Sequence, residues 1–439
     1  MKLSLCVCVT LILAMTVAAP LQAADWPQFR GPGGKGVSDD ANIPTTWSET
    51  QNLQWKLELP GRGSSSPVVA GDRVFVTCYS GYGMDRSDPG NMRHLKRHLV
   101  CVDRATGKIA WEKVVPSAVS ESDYRGYLRE HGYASSTPAT DGKSVFVLFG
   151  KTGVLAFNAG TGKKLWQVNV GRQSNSKRWG SAASPILYKD TVIVSAAEEG
   201  RAIFAFDKAT GKQVWKAPAD SLELAFGTPT LVDVGGKTEL VLGVPGEVWG
   251  LNPDTGKLQW YAETGVGGNV SPSVTALNGT VFVTGGYPRM GSAAIRAGRG
   301  KDGNKDITRT NTVWTSSDAS YVATPLVHDG HLYWLDDRGT AWCLEARTGK
   351  QVYKERLSGT VPGSGSKRIC YASPVLAGGK IYVVSRAGGT YVFDAAAKFK
   401  QIAVNRFASD GSDFNATPAI SNGRMFIRSN RFLYCVAKR

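Results

Sequence analysis

The chain has 439 residues and a formal net charge of +16 at pH 7. That length alone would suggest two or three domains. The basic balance points to anionic glycans, lipid headgroups or acidic proteins as partners, and the export signal described next argues against nucleic acid.

Residues 1–23 read as a secretory signal: Lys2 is the charged start, Leu3 to Ala19 an apolar stretch too short and too poorly flanked for a membrane anchor, and cleavage is expected after Ala23. Cys6 and Cys8 lie too early for a lipoprotein site. The expected product is a periplasmic or extracellular protein, not a lipoprotein, with no transmembrane segment after signal removal. An extended strap is predicted over 24–49. Within it Gly31-Pro-Gly-Gly-Lys-Gly36 matches a dinucleotide fingerprint by letter only, since it contains Pro and precedes no helix.

One phrase then recurs at one spacing. It reads Asp103…Thr106-Gly107-Lys108…Trp111, Asn158…Thr161-Gly162-Lys163…Trp166, Asp207…Thr210-Gly211-Lys212…Trp215, Asn252…Thr255-Gly256-Lys257…Trp260, and, altered, Glu345…Thr348-Gly349-Lys350…Tyr353. Asp or Asn opens a tight turn by bonding the backbone ahead, and Gly takes the left-handed position. A small or hydroxyl residue followed by Pro opens each unit, at Pro67, Pro138, Pro185, Pro229, Pro272, Pro325, Pro374 and Pro418. Hairpin turns and alternating strands follow each Pro, giving four strands per unit of about 40–50 residues, the pattern of a propeller blade. The last unit stops after its third strand, Phe432 to Val436, and Asn52 to Leu59 supplies an orphan strand. The predicted fold is therefore all-β: an eight-bladed β-propeller over 50–439, closed by the N-terminal strand completing the C-terminal blade.

Unit five departs from the pattern, with a Gly- and charge-rich insert expected from Gly285 to Thr310. Unit one carries an insert from Tyr79 to Arg97 and a long exit loop, Pro116 to Tyr133. Basic clusters include Arg93 to Arg97, Lys177-Arg178, Arg296 to Lys305 and Lys367-Arg368. Cys78, Cys101, Cys343, Cys370 and Cys435 remain after signal removal. Cys101, Cys343 and Cys435 occupy the repeat slot held elsewhere by Ala156, Ala205 and Gly250, as core filler. Whether Cys78 and Cys101, on neighbouring strands, form a disulfide stays open. No Cys-x-x-Cys is present, so no attached c-type haem is expected.

Ala205-Phe-Asp-Lys-Ala-Thr-Gly-Lys-Gln-Val-Trp215 resembles the repeat of the PQQ-like β-propellers, and Asp25-Trp-Pro-Gln-Phe-Arg-Gly-Pro32 is similar to the opening of secreted bacterial members. The resemblance implies one of two functions. One is a non-catalytic binding or scaffold protein of the cell envelope, like the assembly factor BamB. The other is an alcohol or sugar dehydrogenase that uses PQQ and calcium. No adjacent Cys pair, as the alcohol dehydrogenases of this family carry, is present. The expected reading is the scaffold, monomeric, with an envelope protein or anionic glycan as partner and no confident cofactor.

Segments preceding each blade-opening Pro are expected to line the funnel mouth. They offer Tyr133, Arg178, Trp179, Phe226, Tyr321, Arg368 and Tyr371 as a cradle for a planar anion, with Asn269 and Asn415 beside them. Glu223, Asn269 and Asp318 are the candidate calcium ligands, and Asp318 the candidate catalytic base. Asp302 to Asp306 copies half of a calcium loop without its sixth-position Gly or its closing Glu. His328 and His331 have no evident third ligand and read as surface histidines.

Overall fold

Each copy of the repeated phrase folds the same way for the same reason. The computed structural model describes residues 25–438 apart from 118, 301–302, 360–367 and 388. In it, Asp207 Oδ1 accepts the Thr210 backbone N–H at 2.8 Å and the Thr210 hydroxyl at 2.7 Å. Gly211 then turns at φ +73°, and its bare Cα lies flat under the indole of Trp166 from the preceding blade, where a Cβ would come within 2.7 Å. The same indole donates from Nε1 to the Lys208 carbonyl at 2.9 Å. Trp55, Trp111, Trp215 and Trp314 dock in this manner on Gly107, Gly162, Gly256 and Gly349 of the next blade. The tryptophan that ends one blade is thus the clamp on its neighbour.

The result is eight four-stranded antiparallel sheets. Blade 1 comprises Val68–Ala70, Arg73–Ser80, Lys96–Asp103 and Ile109–Pro116. The inner strands of blades 2 to 8 are Ala139–Thr140, Ile186–Tyr188, Thr230–Val234, Thr275–Leu277, Leu326–His328, Val375–Ala377 and Ala419–Ser421. In blade 8 the fourth strand is Leu53–Glu58, paired with Phe432–Ala437 so that Trp55 faces Cys435. The seam is closed by strand exchange between the two ends of the propeller, as the sequence pattern predicts.

The slot that takes a small residue is explained by register. Cys101, Ala156, Ala205, Gly250, Cys343 and Cys435 each pair with the aromatic residue of the outer strand: Trp111, Trp166, Trp215, Trp260, Tyr353 and Trp55. The five cysteines are buried and free. Cys78 pairs with His98 and Cys101 with Phe75, and the two thiols belong to core layers on opposite sides of blade 1. They do not form a disulfide.

Two expected inserts are smaller than the sequence suggests. The stretch from Gly285 to Thr310 contains the third strand of blade 5, Gly291–Arg296, paired along its length with Thr280–Gly285. Its Ser-Ala-Ala core lacks β-branched residues, so its strand state comes from cross-strand pairing and not from local preference. What remains is a turn over 286–290 and an arm over 297–311. The arm adds to the outer edge of blade 4: Tyr261 N–H donates to the Lys305 carbonyl at 2.8 Å, and Ile307 N–H to the Tyr261 carbonyl at 3.0 Å. Blade 5 has no Thr-Gly-Lys turn, so Trp260 has no glycine of the next blade to dock on; its indole lies over Gly250 of its own blade and donates to Glu239. In blade 1, strands reach Ser80 and resume at Lys96, leaving a loop over 81–95. The signal residues 1–23 with their cleavage site, Asp302 of the half calcium loop, and Lys367 lie outside the described residues.

Candidate functional site

A hydroxyl beside each blade-opening Pro, before it in every blade but the fifth, where Ser273 follows Pro272, has a role that the sequence leaves unstated. Backbone N–H groups of Ser66, Thr137, Ser184, Thr228, Ser273, Thr324 and Ser373 each donate to the hydroxyl of the corresponding residue one blade on, at 2.9–3.0 Å. Thr417 ends the series. These bonds run around the axis and give each inner N–H a buried acceptor. The same hydroxyls line a central pit.

The floor of the pit comes from the strap. Trp26 pairs with Val69 of blade 1, and the Pro27 carbonyl accepts the N–H of Thr140 in blade 2. Three residues later Arg30 bonds the Thr324 and Pro325 carbonyls of blade 6, at 2.7 and 2.9 Å. Blades 2 and 6 are opposite in an eight-membered ring, so the strap crosses the axis, and Phe29 between them forms the floor. Arg30 is 1% exposed. Only carbonyls solvate its guanidinium, including those of Gly34, Lys35 and Pro374, and burial lowers its pKa to about 9.

The roof is the exit loop of blade 1, which ends in the helical turn Leu128–His131. The Tyr127 hydroxyl lies 2.9 Å from that of Tyr321, before blade 6. The Tyr127 ring packs on Trp179 with centroids 4.4 Å apart. Glu130 pairs at 2.5 Å with Arg386 of blade 7, and its carbonyl accepts Asn415 Nδ2 at 2.7 Å. One loop therefore touches the connections before blades 3, 6 and 8 and a loop of blade 7.

Between floor and roof the pit measures about 1000 Å³, solvent at its mouth included. Trp179, Phe226, Tyr321 and Tyr371 form its wall, with Asn269 between them. Trp179 and Phe226 rings lie 5.8 Å apart at 29°. The faces of Tyr321 and Tyr371 are covered by the guanidinium groups of Arg368 and Arg386, at 4.7 and 4.8 Å. Asn269 is 4% exposed, and among the described residues its Nδ2 makes no hydrogen bond within 3.5 Å, its side chain lying beside the Tyr321 hydroxyl. His131 Nδ1 lies 2.5 Å from Ser135 Oγ, and burial lowers its pKa to about 4, so it is neutral. Burial raises the Tyr371 phenol to about 12 and Tyr127 above its ordinary value. Among the described residues, the lining includes no Arg or Lys, and its one carboxylate, Glu130, is already paired.

Of the expected cradle, Trp179, Phe226, Tyr321 and Tyr371 line the pit, with Asn269 and Asn415. Arg368 stands behind Tyr321, paired with Asp337. Arg178 is exposed on the rim, at φ +53°. Tyr133 is buried under the roof among Tyr79, Tyr82 and Tyr124, its hydroxyl bonded to the Ser122 carbonyl at 2.7 Å. Of the candidate calcium ligands only Asn269 lines the pit. Glu223 is committed to the Ser176 N–H at 2.7 Å and to Arg201 at 2.9 Å, which hold its carboxyl below the usual range. Asp318, half-buried, meets Ser292 and Ser316 through its backbone. Phe29, Tyr127, Glu130, His131 and Arg386 were not among the expected site residues. The length of the exit loop and the Trp-Pro-Gln-Phe-Arg opening were the only signals pointing toward them.

A family model described as outer membrane protein assembly factor BamB matches residues 53–218, 96–355 and 312–401, most of the chain. The chain belongs to the PQQ-like repeat β-propeller family. Among relatives in this family, an outer membrane protein assembly factor BamB of Burkholderia pseudomallei is 24% identical over 400 residues, covering 81% of this chain and 93% of that protein. A tetrathionate hydrolase of Acidithiobacillus ferrooxidans is 20% identical over 382 residues, covering 79% of this chain and 68% of that enzyme. The crystal structure of a quinohemoprotein alcohol dehydrogenase from Comamonas testosteroni superposes with a TM-score of 0.60 at 13% identity, over 94% of this chain and 80% of that one. This last likeness concerns the propeller fold alone. No helix among the described residues is long and apolar enough to cross a membrane.

Proposed function

We propose that this PQQ-like propeller is an exported, non-catalytic binding protein of the cell envelope that holds a partner on its mouth face. One observation carries the reading: the axial pit is lined without a free charge. PQQ is a flat tricarboxylate and needs cationic partners, and its calcium needs several oxygen ligands, carboxylates among them. Among the described lining residues there is no Arg or Lys, and Glu130 is neutralised by Arg386. These residues do not fit the quinone and its metal, so no reaction step is assigned to them. The relatives that are assembly factors of outer membrane proteins favour the same side.

The mouth face also offers a surface for a partner. In an antiparallel blade, the loop between the second and third strands emerges on the same face as the connection to the next blade. The 81–95 and 286–290 loops both have this position. They expose Met84 (40%), Tyr287 (53%) and Met290 (39%), with the exposed Arg289 between the last two. Blades 1 and 5 are opposite in the ring, so these are two separate points flanking the pit mouth, each with the exposed apolar side chains that protein-binding surfaces use.

Calorimetric titration of PQQ into the mature protein, with and without calcium, tests the reading. No binding is expected. A one-to-one, calcium-dependent isotherm would overturn it in favour of a PQQ- and calcium-dependent dehydrogenase. Retention of envelope proteins by the immobilised chain, lost in a Met84→Ser, Tyr287→Ser, Met290→Ser variant of unchanged melting temperature, is the positive arm.

A further inference from the structure

We infer that the axial pit is a binding site for an uncharged pyranose ring, the end of a neutral or N-acetylated glycan. The inference rests on the reading above in one respect only, that the pit is not a quinone site.

Three features of the pit converge on this ligand class. The first is its donor surplus. The ring hydroxyls from Thr137 to Thr417 each accept one backbone N–H, and among the described residues none of the seven donates its own proton to a protein acceptor. Asn269, 4% exposed, adds an Nδ2 that makes no hydrogen bond within 3.5 Å among the described residues and has only the Tyr321 hydroxyl as a weak neighbour. Buried donors without acceptors are costly, and a ligand rich in oxygen acceptors relieves them.

The second feature is the wall. Tyr321 and Tyr371 carry a guanidinium on one face and Trp179 carries the Tyr127 ring, while Trp179 and Phe226, stacked at 29°, still line the pit and give it an apolar aromatic side. A pyranose has an apolar C–H face that such rings cover, and equatorial oxygens at its edge for the hydroxyls below. The third is charge. Glu130 is paired with Arg386, His131 is neutral, and Arg30 beneath the floor is enclosed by carbonyls. An ionised sugar would enter a low-dielectric pit with no counter-charge to meet it.

The test uses the full mature chain and three probes: methyl α-D-glucopyranoside, N-acetylglucosamine and glucuronate. Saturation-transfer NMR and calorimetry are expected to give saturable binding of at least one neutral probe, with Kd of about 0.1–10 mM, and glucuronate at least about tenfold weaker. Phe226→Leu keeps apolar volume but removes a ring, and Asn269→Asp keeps size but adds a charge. Each is expected to weaken the neutral probe about tenfold. Circular dichroism melting verifies the fold of each variant. Binding of neither neutral probe, binding unchanged in both folded variants, or glucuronate bound as tightly as the neutral sugars would each overturn the inference. PQQ titrated into the same samples separates the two failures: calcium-dependent PQQ binding overturns the proposed function too, whereas loss of sugar binding without it overturns this inference alone.

Discussion

The hydroxyl of Tyr127 meets that of Tyr321 at 2.9 Å across the mouth of the pit, joining the loop that leaves blade 1 to the segment that enters blade 6. With the Glu130–Arg386 pair it helps to hold a roof that is also tied by Asn415 and Ser64 to the Glu130 and His131 carbonyls, by Arg86 to Glu130 and by Arg97 to Glu121. Tyr127→Phe removes one hydrogen bond and keeps the ring on Trp179. The expected loss of global stability is about 0.5–1.5 kcal/mol. The sharper readout is local: amide hydrogen exchange should accelerate over 125–131 and stay unchanged in the inner strands. Uniform exchange in the variant would mean that the hydroxyl pair does not hold the roof.

The circumferential hydroxyl ring makes a different prediction. Ser273→Ala deletes the acceptor of the buried Thr228 N–H. Urea unfolding should show a loss of about 1–3 kcal/mol. Thr161→Ala, which removes a hydroxyl from an exposed repeat turn, serves as the comparison. Its expected cost is within about 0.5 kcal/mol. Equal losses at the two sites would remove the ring from the account of stability.

The sequence announces these features unevenly, for physical reasons. Asp207, Thr210 and Gly211 form a turn from contacts within five residues, so the repeat, the blade count and the seam are readable from spacing alone. The strand Gly291–Arg296 is hidden because Ala293 and Ala294 have little β preference and are held by Val283 and Phe282 across the sheet. Phe226, Asn269, Tyr371 and Asn415 are readable because each lies three residues before its blade-opening Pro, whereas Trp179, six before Pro185, is readable only as an aromatic in the same connecting segment. The roof is not, since Glu130 and Arg386 are 256 residues apart and no local pattern links them.

Glu199 gives the fold a pH dependence with a definite sign. It is 1% exposed, receives a bond from Ser181, and has a second oxygen with no partner. Burial first, then the carboxylates of Glu121 and Glu198, raise its pKa from 4.5 to about 8, with Arg97 opposing. The folded state holds this proton where the unfolded state has lost it. Stability from Glu199 is therefore full below pH 4.5 and declines as pH rises toward 8. His131 acts oppositely and lower: its pKa falls from 6.5 to about 4, so stability is lost as pH falls through that interval. As pH rises above 6.5 His131 becomes neutral in both states, leaving Glu199 as the main titrating group of the two up to pH 8. The melting temperature should decline across that window, and Glu199→Gln should flatten the decline. A slope unchanged in the variant would assign the effect elsewhere.

The clamp between blades is open to the most direct challenge. Gly211 has φ +73°, and a Cβ there would lie 2.7 Å from the Trp166 ring. Gly211→Ala therefore combines left-handed strain with displacement of the indole from the Lys208 carbonyl. Left-handed strain alone costs about 1–2 kcal/mol, and loss of the clamp should bring the total to about 2–4 kcal/mol in urea unfolding. Gly142→Ala is the control. Its φ is +81°, and nothing lies within 4 Å of the added Cβ, so it carries the strain without the clash. Because the chain has 12 tryptophans, the difference in emission from a Trp166→Phe background separates the two contributions: only Gly211→Ala should shift the Trp166 contribution toward that of a solvated ring. If both variants lose the same stability and leave the emission alone, the glycine of the repeat is selected by its turn and not by the tryptophan above it.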